Sequence, residues 1–339
     1  MKYILLVAIP YVFVLGLAAI SDVETPPIDS EQVGFRGTGM VQMTNPRIAA
    51  KLEDANQPPD EFGPVEPGGD LAKDIYENVQ VLGDLTDDEF NHFMLGVTTW
   101  VSPEEGCGYC HNEENLASDE KYTKVVARRM MQMTRTINNE WSDHVGATGV
   151  NCYSCHRGNH VPEYVWTDEN YHPEANKGFA ASRNDQNLAV DVNGHTSLPY
   201  NAMADLLTSP DPQIRVQSNL ALPTRQGGQS LQTTESTYSL MINMSEGLGV
   251  NCNYCHNSRA FGDWSQSSDK RVTAFHGINM VQELNATYLD PLASELPENR
   301  LGPNGDAPKA MCMTCHQGVN KPMYGWEALN DHPKALVAQ

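Results

Sequence analysis

The stretch Asn151-Cys152-Tyr153-Ser154-Cys155-His156 contains the pattern Cys-x-x-Cys-His, the attachment pattern for c-type haem. It occurs four times in 339 residues and uses all eight cysteines. The copies are Cys107, Cys110 and His111; Cys152, Cys155 and His156; Cys252, Cys255 and His256; and Cys312, Cys315 and His316. A lone Cys-x-x-Cys is also typical of a redox dithiol or half a zinc site. Four copies that each end in histidine predict four covalently attached c-type haems, with the histidines as proximal iron ligands.

An apolar run from Tyr3 to Ile20 contains only one proline and no charge. As a helix it would span about 27 Å at ~1.5 Å per residue, just enough to cross the hydrocarbon core of a bilayer. Lys2 precedes the run and Asp22 follows it, so we expect the remainder of the chain to be exported. The alternative is a cleaved signal peptide. We expect a retained anchor helix, without lipid attachment, because no cysteine lies near the run.

The chain is strongly acidic, with a formal net charge of -21 at pH 7. Such a charge repels phosphate backbones, so we expect no nucleic-acid partner. It favours a partner with a basic face, because long-range attraction steers oppositely charged proteins together. The alternative is that the charge serves solubility alone.

Composition divides the chain into an anchor, an arm, two units with two haem motifs each, a connection and a tail. The arm is rich in proline, glycine and acidic residues and is expected to be extended. The predicted segments are an anchor helix (1–22), an extended periplasmic arm (23–75), a first dihaem unit (76–160), a connecting segment (161–227), a second dihaem unit (228–325) and a tail (326–339).

Three local patterns predict secondary structure in the first unit. Residues 78–82 alternate like a short strand. Thr86 and Glu89 form a capping box that predicts the start of a helix. Residues 118–144 contain strong helix formers without proline or glycine, and predict one long helix. We therefore expect a mainly α-helical fold with few short strands.

The two units resemble each other in sequence. Lys124-Val125-Val126-Ala127 matches Arg271-Val272-Thr273-Ala274 at an offset of 147 residues. The same offset aligns Asn138 with Asn285. The first and third haem motifs depart from this offset by two residues. A duplicated unit usually packs about a pseudo-two-fold axis, so we predict two tandem dihaem repeats related in this way.

Each iron needs a second axial ligand unless that position is open. Met94 lies 17 residues before His111 and Met241 lies 15 residues before His256. Met130 lies 26 residues before His156. These three methionines are candidate ligands, although methionine more often fills a core. Nearby methionines compete for the same role: Met131, Met133 and Met244.

The fourth haem requires a different ligand, because the repeat aligns Met130 with Gly277, which has no side chain to offer. His144 is a candidate, since a continuous helix would present Met130 and His144 on nearly the same face. The spacing does not exclude the other free histidines, which are His92, His160, His172, His195, His276 and His332.

Together, the four motifs in two tandem pairs, the three methionine spacings and His144 resemble the tetrahaem cytochrome subunit of the purple-bacterial type photosynthetic reaction centre. Gly34-Phe35-Arg36-Gly37 adds to the resemblance near the start of the arm. Some members of that family carry a lipidated N-terminal cysteine, which this chain lacks. The difference affects tethering and not the implied function.

The resemblance implies three His/Met haems and one bis-His haem. The implied pairs are His111 with Met94, His156 with Met130, His256 with Met241, and His316 with His144. It also implies a line of haems in the order third, fourth, second and first, counted from the membrane.

As a member of that family, the chain would be an electron carrier and not an enzyme. It would sit on the periplasmic face of the reaction-centre core, at the inner photosynthetic membrane, and re-reduce the photo-oxidised bacteriochlorophyll pair. Its own donor would be a small c-type cytochrome or a high-potential iron–sulfur protein. The alternatives are a membrane-anchored respiratory electron shuttle and a multihaem reductase, which would usually expose one iron.

Overall fold

The computed structural model describes residues 27–35, 39–168, 198–199, 201–210, 214–216 and 230–337. The predicted anchor helix (1–22) lies outside these residues, as do Arg36 and Gly37 and most of the connecting segment. Within the described ranges, no helix has both the length and the hydropathy needed to cross a membrane.

The described chain is mainly helical. Its α-helices, in chain order, are α1 (Pro46–Ala55), α2 (Ala72–Ile75), α3 (Asp87–Val101), α4 (Tyr122–Glu140), α5 (Ser142–Val145), α6 (Cys152–His156), α7 (Ala202–Leu207), α8 (Leu231–Leu248), α9 (Lys270–Glu283), α10 (Cys312–His316) and α11 (Pro333–Leu336). A π-helical turn, Leu284–Leu289, follows α9 directly.

The strands are short and form two antiparallel pairs. Strand β1 (Asp29–Gln32) pairs with β2 (Val41–Thr44), with Asp29 opposite Thr44. Strand β3 (Val165–Trp166) pairs with β4 (Lys309–Ala310), and therefore joins the start of the connecting segment to the second unit. Because the arm contains the β1–β2 hairpin and α1, it is not extended throughout as the sequence suggested.

The capping box at the start of α3 is present: the Thr86 backbone N–H donates to the Glu89 carboxylate at 2.8 Å. The strand expected at 78–82 does not form. Asn78 has φ +63° and its side-chain amide donates to the Ala117 carbonyl, so the chain turns where a strand would continue.

The long helix expected over residues 118–144 is shorter than predicted. Helix α4 ends at Glu140, because Trp141 leaves helical geometry and its indole N–H donates to Glu283 at 3.0 Å. His144 therefore lies on the separate helix α5, and not on one continuous helix with Met130.

Two apolar cores lie in the described chain. The first core centres on Phe93 and Trp100 of α3 with Leu85, and Leu336 of α11 completes it. The second core is larger, and its fully buried members include Leu240 of α8 and Met203 and Leu207 of α7. The first core thus lies mainly in the first predicted unit and the tail, whereas the second core combines mainly the second unit with the connecting segment.

The two units use matched side chains in the same way. The Asn138 amide donates to the Val150 carbonyl at 2.9 Å, and the Val150 N–H donates back to Asn138 at 2.8 Å. Asn285 makes the same pair of bonds with Ala310, at 3.0 and 2.8 Å. Val150 and Ala310 each stand two residues before the first cysteine of a motif, so each asparagine fixes the entry to one motif.

Candidate haem-attachment sites

The four motifs have two local conformations that alternate along the chain. The first and third begin in 3₁₀ turns, Gly106–Tyr109 and Cys252–Tyr254. The second and fourth form the short helices α6 and α10, each followed by a residue in the left-handed region. The first motif therefore matches the third, and the second matches the fourth, as a duplicated dihaem unit requires.

All four motif histidines share one hydrogen-bonding pattern. Their Nδ1 atoms lie 2.9–3.0 Å from backbone carbonyl oxygens. The partners are Leu116 for His111, Asn159 for His156, Phe261 for His256 and Val319 for His316. A carbonyl can only accept, so each Nδ1 carries the proton and each Nε2 keeps a lone pair. That tautomer is the one that ligates a metal through Nε2.

His144 has the same pattern, because its Nδ1 lies 3.0 Å from the Thr273 carbonyl oxygen of α9. Two of the other free histidines pair differently: His92 and His332 face each other through their Nδ1 atoms at 3.2 Å. His160 directs Nε2 to Ser102 at 3.2 Å and stacks on Tyr109. The hydrogen bonds thus favour His144 over these three histidines as a ligand.

His144 faces the histidine of the fourth motif. The ring centres of His144 and His316 are 6.0 Å apart. A ligating imidazole nitrogen sits about 2 Å from its metal, and the ring centre lies roughly 1 Å further out, so two imidazoles on opposite sides of one iron place their centres about 6 Å apart. The separation in the structure fits one iron between the two rings.

Burial keeps these imidazoles neutral. Desolvation lowers the pKa of His316 to about 4, and the neighbouring His144 contributes to the shift. Burial also lowers the pKa of His144, His156 and His256. Neutral imidazole is the form that binds a metal, so the surroundings of these histidines suit ligation.

Gly277 is the reason His144 can occupy this place. A Cβ atom at residue 277 would lie 2.5 Å from Cε1 and 2.8 Å from Nδ1 of His144. Residue 277 is the position that the repeat aligns with Met130. The His144 ring therefore occupies the space that a side chain at this position would fill. Sequence reasoning found the glycine but not this contact.

The candidate methionines lie on the helices expected for them, Met94 on α3, Met130 on α4 and Met241 on α8. Met131 packs against the first core and Met133 against the second, whereas Met130 belongs to neither. This contrast distinguishes Met130 from its neighbours, whereas Met94 packs against the first core. Met241 and Met244 both pack against the second core.

The motif thiols do not have the character of a redox dithiol. Burial raises the pKa of Cys152 and Cys312 to about 12 and that of Cys255 to about 11. Burial raises the pKa of Cys110 as well. Reactive cysteines of disulfide oxidoreductases have lowered pKa values, so the environment of these four thiols speaks against that interpretation.

The second and fourth motifs are adjacent in space. Cys155 of α6 and Cys315 of α10 are joined by a disulfide, with their Cα atoms 4.4 Å apart. A sulfur in a disulfide cannot also form a thioether, so this bond and haem attachment at Cys155 and Cys315 exclude each other. The contact places the two motifs side by side across the boundary between the units.

Several buried donors have no protein partner in the described part of the chain. They are Nε1 of Trp100, Nε of Arg129 and Nη1 of Arg157. Buried polar groups are normally hydrogen-bonded, so these donors indicate an acceptor that the described residues do not supply. The propionate carboxylates of haem are acceptors of this kind, and the donors therefore fit the predicted cofactor.

Comparison with known proteins agrees with this chemistry. The family model described as "Photosynthetic reaction centre cytochrome C subunit" matches residues 24–336. Relatives named "Photosynthetic reaction center cytochrome c subunit" include that of Rubrivivax gelatinosus, 44% identical over 95% of this chain and 87% of the relative. Those of Thermochromatium tepidum (43%; 98% and 81%) and Roseobacter denitrificans (47%; 99% and 93%) are similar as well. The chain therefore belongs to the family of photosynthetic reaction centre cytochrome c subunits.

Proposed function

We propose that this electron-transfer subunit holds four haem c groups and passes electrons from a soluble periplasmic donor to the photo-oxidised bacteriochlorophyll pair of the reaction-centre core. The observation that carries the proposal is the shared Nδ1–carbonyl bond of the four motif histidines and His144. When bound, haem supplies reversible one-electron redox chemistry at iron. The residues of this chain would bind the haem groups, orient them and shield them from water.

The proposed ligand set has three methionines and five histidines. In this set Met94 is paired with His111, Met130 with His156, Met241 with His256, and His144 with His316. A thioether favours reduced iron, whereas a second imidazole leaves the potential lower. The fourth site is thus proposed to have a lower potential than it would have with methionine, and no position is left open for a substrate.

We place Cys155 and Cys315 among the eight haem-attachment residues in the mature subunit, and assign their disulfide to the chain without haem. The adjacency of their motifs supports the order third, fourth, second and first along the haem line. That order has the second and fourth haems as central neighbours. The same adjacency supports a pseudo-two-fold axis between the units.

The remaining proposals concern location. We propose that Tyr3–Ile20 is retained as a single membrane-spanning helix, with the bulk of the chain in the periplasm against the reaction-centre core subunits. Mass spectrometry of the purified subunit tests this point. A mature N-terminus near Ser21 would show that the run is a cleaved signal peptide instead.

Flash spectroscopy on intact membranes tests the electron-transfer proposal. A short flash should oxidise haem rapidly, in step with re-reduction of the bacteriochlorophyll pair. A pyridine haemochrome assay on the purified subunit should give four haems per chain. Absence of flash-induced haem oxidation would refute the donor role, and a count below four would refute the full set of attachment sites.

A further inference from the structure

Arg157 follows the ligand His156 directly and ends helix α6 in the left-handed region, at φ +50°. Its guanidinium turns back over the motif. Nε donates to the Ser154 carbonyl at 3.4 Å, and the guanidinium carbon lies 5.5 Å from the centre of the Tyr153 ring. The cation is therefore held against the motif and does not extend into solvent.

The charge of Arg157 has no counter-ion among the residues that the structure describes. Among the described residues, no carboxylate forms an ion pair with it, and Nη1 is buried without a hydrogen-bond partner. Burial lowers its pKa, but a guanidinium stays protonated in proteins. A half-buried cation that no described carboxylate neutralises is costly, so its retention at this position calls for a role outside the packing of the protein.

The fourth motif offers a built-in comparison. Gln317 follows His316, ends helix α10 and has φ +48°, so the two positions have the same backbone conformation. Asn56 of the arm contacts both: its carbonyl oxygen accepts from Nη2 of Arg157 at 3.1 Å, and its amide donates to the Gln317 carbonyl at 3.2 Å. Asn56 is fully buried, so it fixes the guanidinium. The second motif thus has a fixed cation where the fourth has a neutral amide.

We infer that Arg157, positioned by Asn56, is a charge that raises the reduction potential of the second haem and has no counterpart at the fourth. The inference rests on the proposed function, because it requires haem at both motifs. Oxidation of iron adds one positive charge, and a fixed cation nearby disfavours it. A unit charge at about 10 Å, acting through an effective dielectric constant of about 20, changes a one-electron equilibrium by roughly tenfold.

Exchange of the two residues tests the inference. Arg157→Gln gives the second motif the side chain of the fourth. It should shift the reduction equilibrium of one haem by roughly tenfold, which lowers the midpoint potential of that haem by about 59 mV for one electron. Arg157→Lys retains the charge and should retain most of the potential. Gln317→Arg should raise the potential of the bis-His haem. Redox titration monitored in the haem α-bands measures all four midpoint potentials in each variant.

Arg47→Gln is the matched control, since it removes one positive charge from an exposed position on α1 and should move no single potential. Four loaded haems with unchanged potentials in Arg157→Gln would overturn the inference. If that variant fails to load haem, Gln317→Arg decides, and an unchanged fourth potential there would overturn it. A purely structural role would lower the unfolding midpoint without a selective shift. Haem content below four in the unmutated subunit would instead count against the proposed function.

Discussion

At the scale of single residues, the tautomer of each candidate ligand is set by a carbonyl oxygen close to it. In the motifs, that carbonyl belongs to a residue three or five positions further along the chain. His144 differs, because its carbonyl partner Thr273 comes from the other unit. The fourth site is thus the one whose ligands depend on how the two units pack.

Gly277→Ala should disturb that site selectively. The added methyl group would overlap the His144 ring, and overpacking of this kind costs about 1–3 kcal/mol. We expect the bis-imidazole signal in the electron paramagnetic resonance spectrum to be lost, with the other three haems unchanged. Val272→Ala, on the exposed side of the same helix, is the control and should leave the spectrum intact. Persistence of the bis-imidazole signal in Gly277→Ala would contradict the assignment of His144.

Sequence alone supplied most of the candidate residues of this site. The order of residues was enough to identify the four motifs, the three methionine spacings and Gly277, the glycine that the repeat aligns with Met130. Arg157 and Asn56 were not, because their importance lies in contacts between positions 101 residues apart. The pattern Cys-His-Arg in the second motif against Cys-His-Gln in the fourth was the one available signal.

At the scale of elements, the two units share equivalent hydrogen bonds as well as equivalent helices. Asn138 and Asn285 each bind both backbone groups of the residue that leads into a motif. Thr123 and Ser268 likewise each donate to a motif tyrosine carbonyl, Tyr109 and Tyr254, at 2.7 Å. These matched bonds explain why the repeat persists at scattered polar positions.

Loss of either asparagine should destabilise the subunit. Asn138→Ala would leave the N–H and carbonyl of Val150 without this partner, at a cost of about 1–3 kcal/mol for each buried group. Each asparagine also donates to one further carbonyl, that of Leu336 for Asn138 and that of Leu207 for Asn285. Asn285→Ala should cost more, because Asn285 is fully buried whereas Asn138 is partly exposed. Denaturant unfolding gives both values. Asn330→Ala, an exposed asparagine bonded to Glu327, should change stability by less than about 0.5 kcal/mol. Equal effects at all three positions would argue against the specific role.

The contact between α6 and α10 predicts a difference between the haem-free and haem-loaded chains. Oxidation of the haem-free chain should link Cys155 to Cys315, because the two thiols are adjacent. Proteolysis and mass spectrometry without reductant should recover the linked peptide pair from the haem-free chain only, with Cys155→Ser as the control. Its recovery from fully loaded subunit would mean that one thioether is missing from each of two haems.

Sequence patterns predicted some of the elements and missed others. The capping box at Thr86 was confirmed, since it depends on residues within one helical turn. The strand at 78–82 and the end of the long helix were wrong for a shared reason. In both cases a side chain, Asn78 or Trp141, bonds to a distant segment and overrides local preference.

At the scale of the whole molecule, the excess of acidic residues extends to the first motif. Six acidic residues near it are exposed: Glu104, Glu105, Glu113, Glu114, Asp119 and Glu120. Asp119 pairs with Lys124 and Arg128, and Glu105 contacts His160, so part of this charge is compensated locally. Glu113 and Glu114 are the residues best placed to act at long range.

Re-reduction by a basic soluble cytochrome should therefore slow as salt rises. Electrostatic steering raises association rates by about 10- to 1000-fold at low ionic strength, and exposed charges are screened beyond about 8 Å at physiological ionic strength. Glu113→Gln with Glu114→Gln should reduce the second-order rate at low salt, measured by flash kinetics. Glu298→Gln, in the second unit, is the control. A rate that stays flat or rises with salt would point to an apolar docking patch instead.

The path of the chain after the fourth motif has a consequence for the order of events in biosynthesis. Leu336 completes the first core, the Ala335 carbonyl accepts from Arg135, and Lys334 pairs with Glu89. Ala335 and Leu336 are synthesised more than 190 residues after Arg135 and Asn138, the residues that donate to their carbonyls. The unit that is synthesised first is thus the one that has to wait for its closing contacts. Until residue 336 has been synthesised, α3 and α4 lack these contacts.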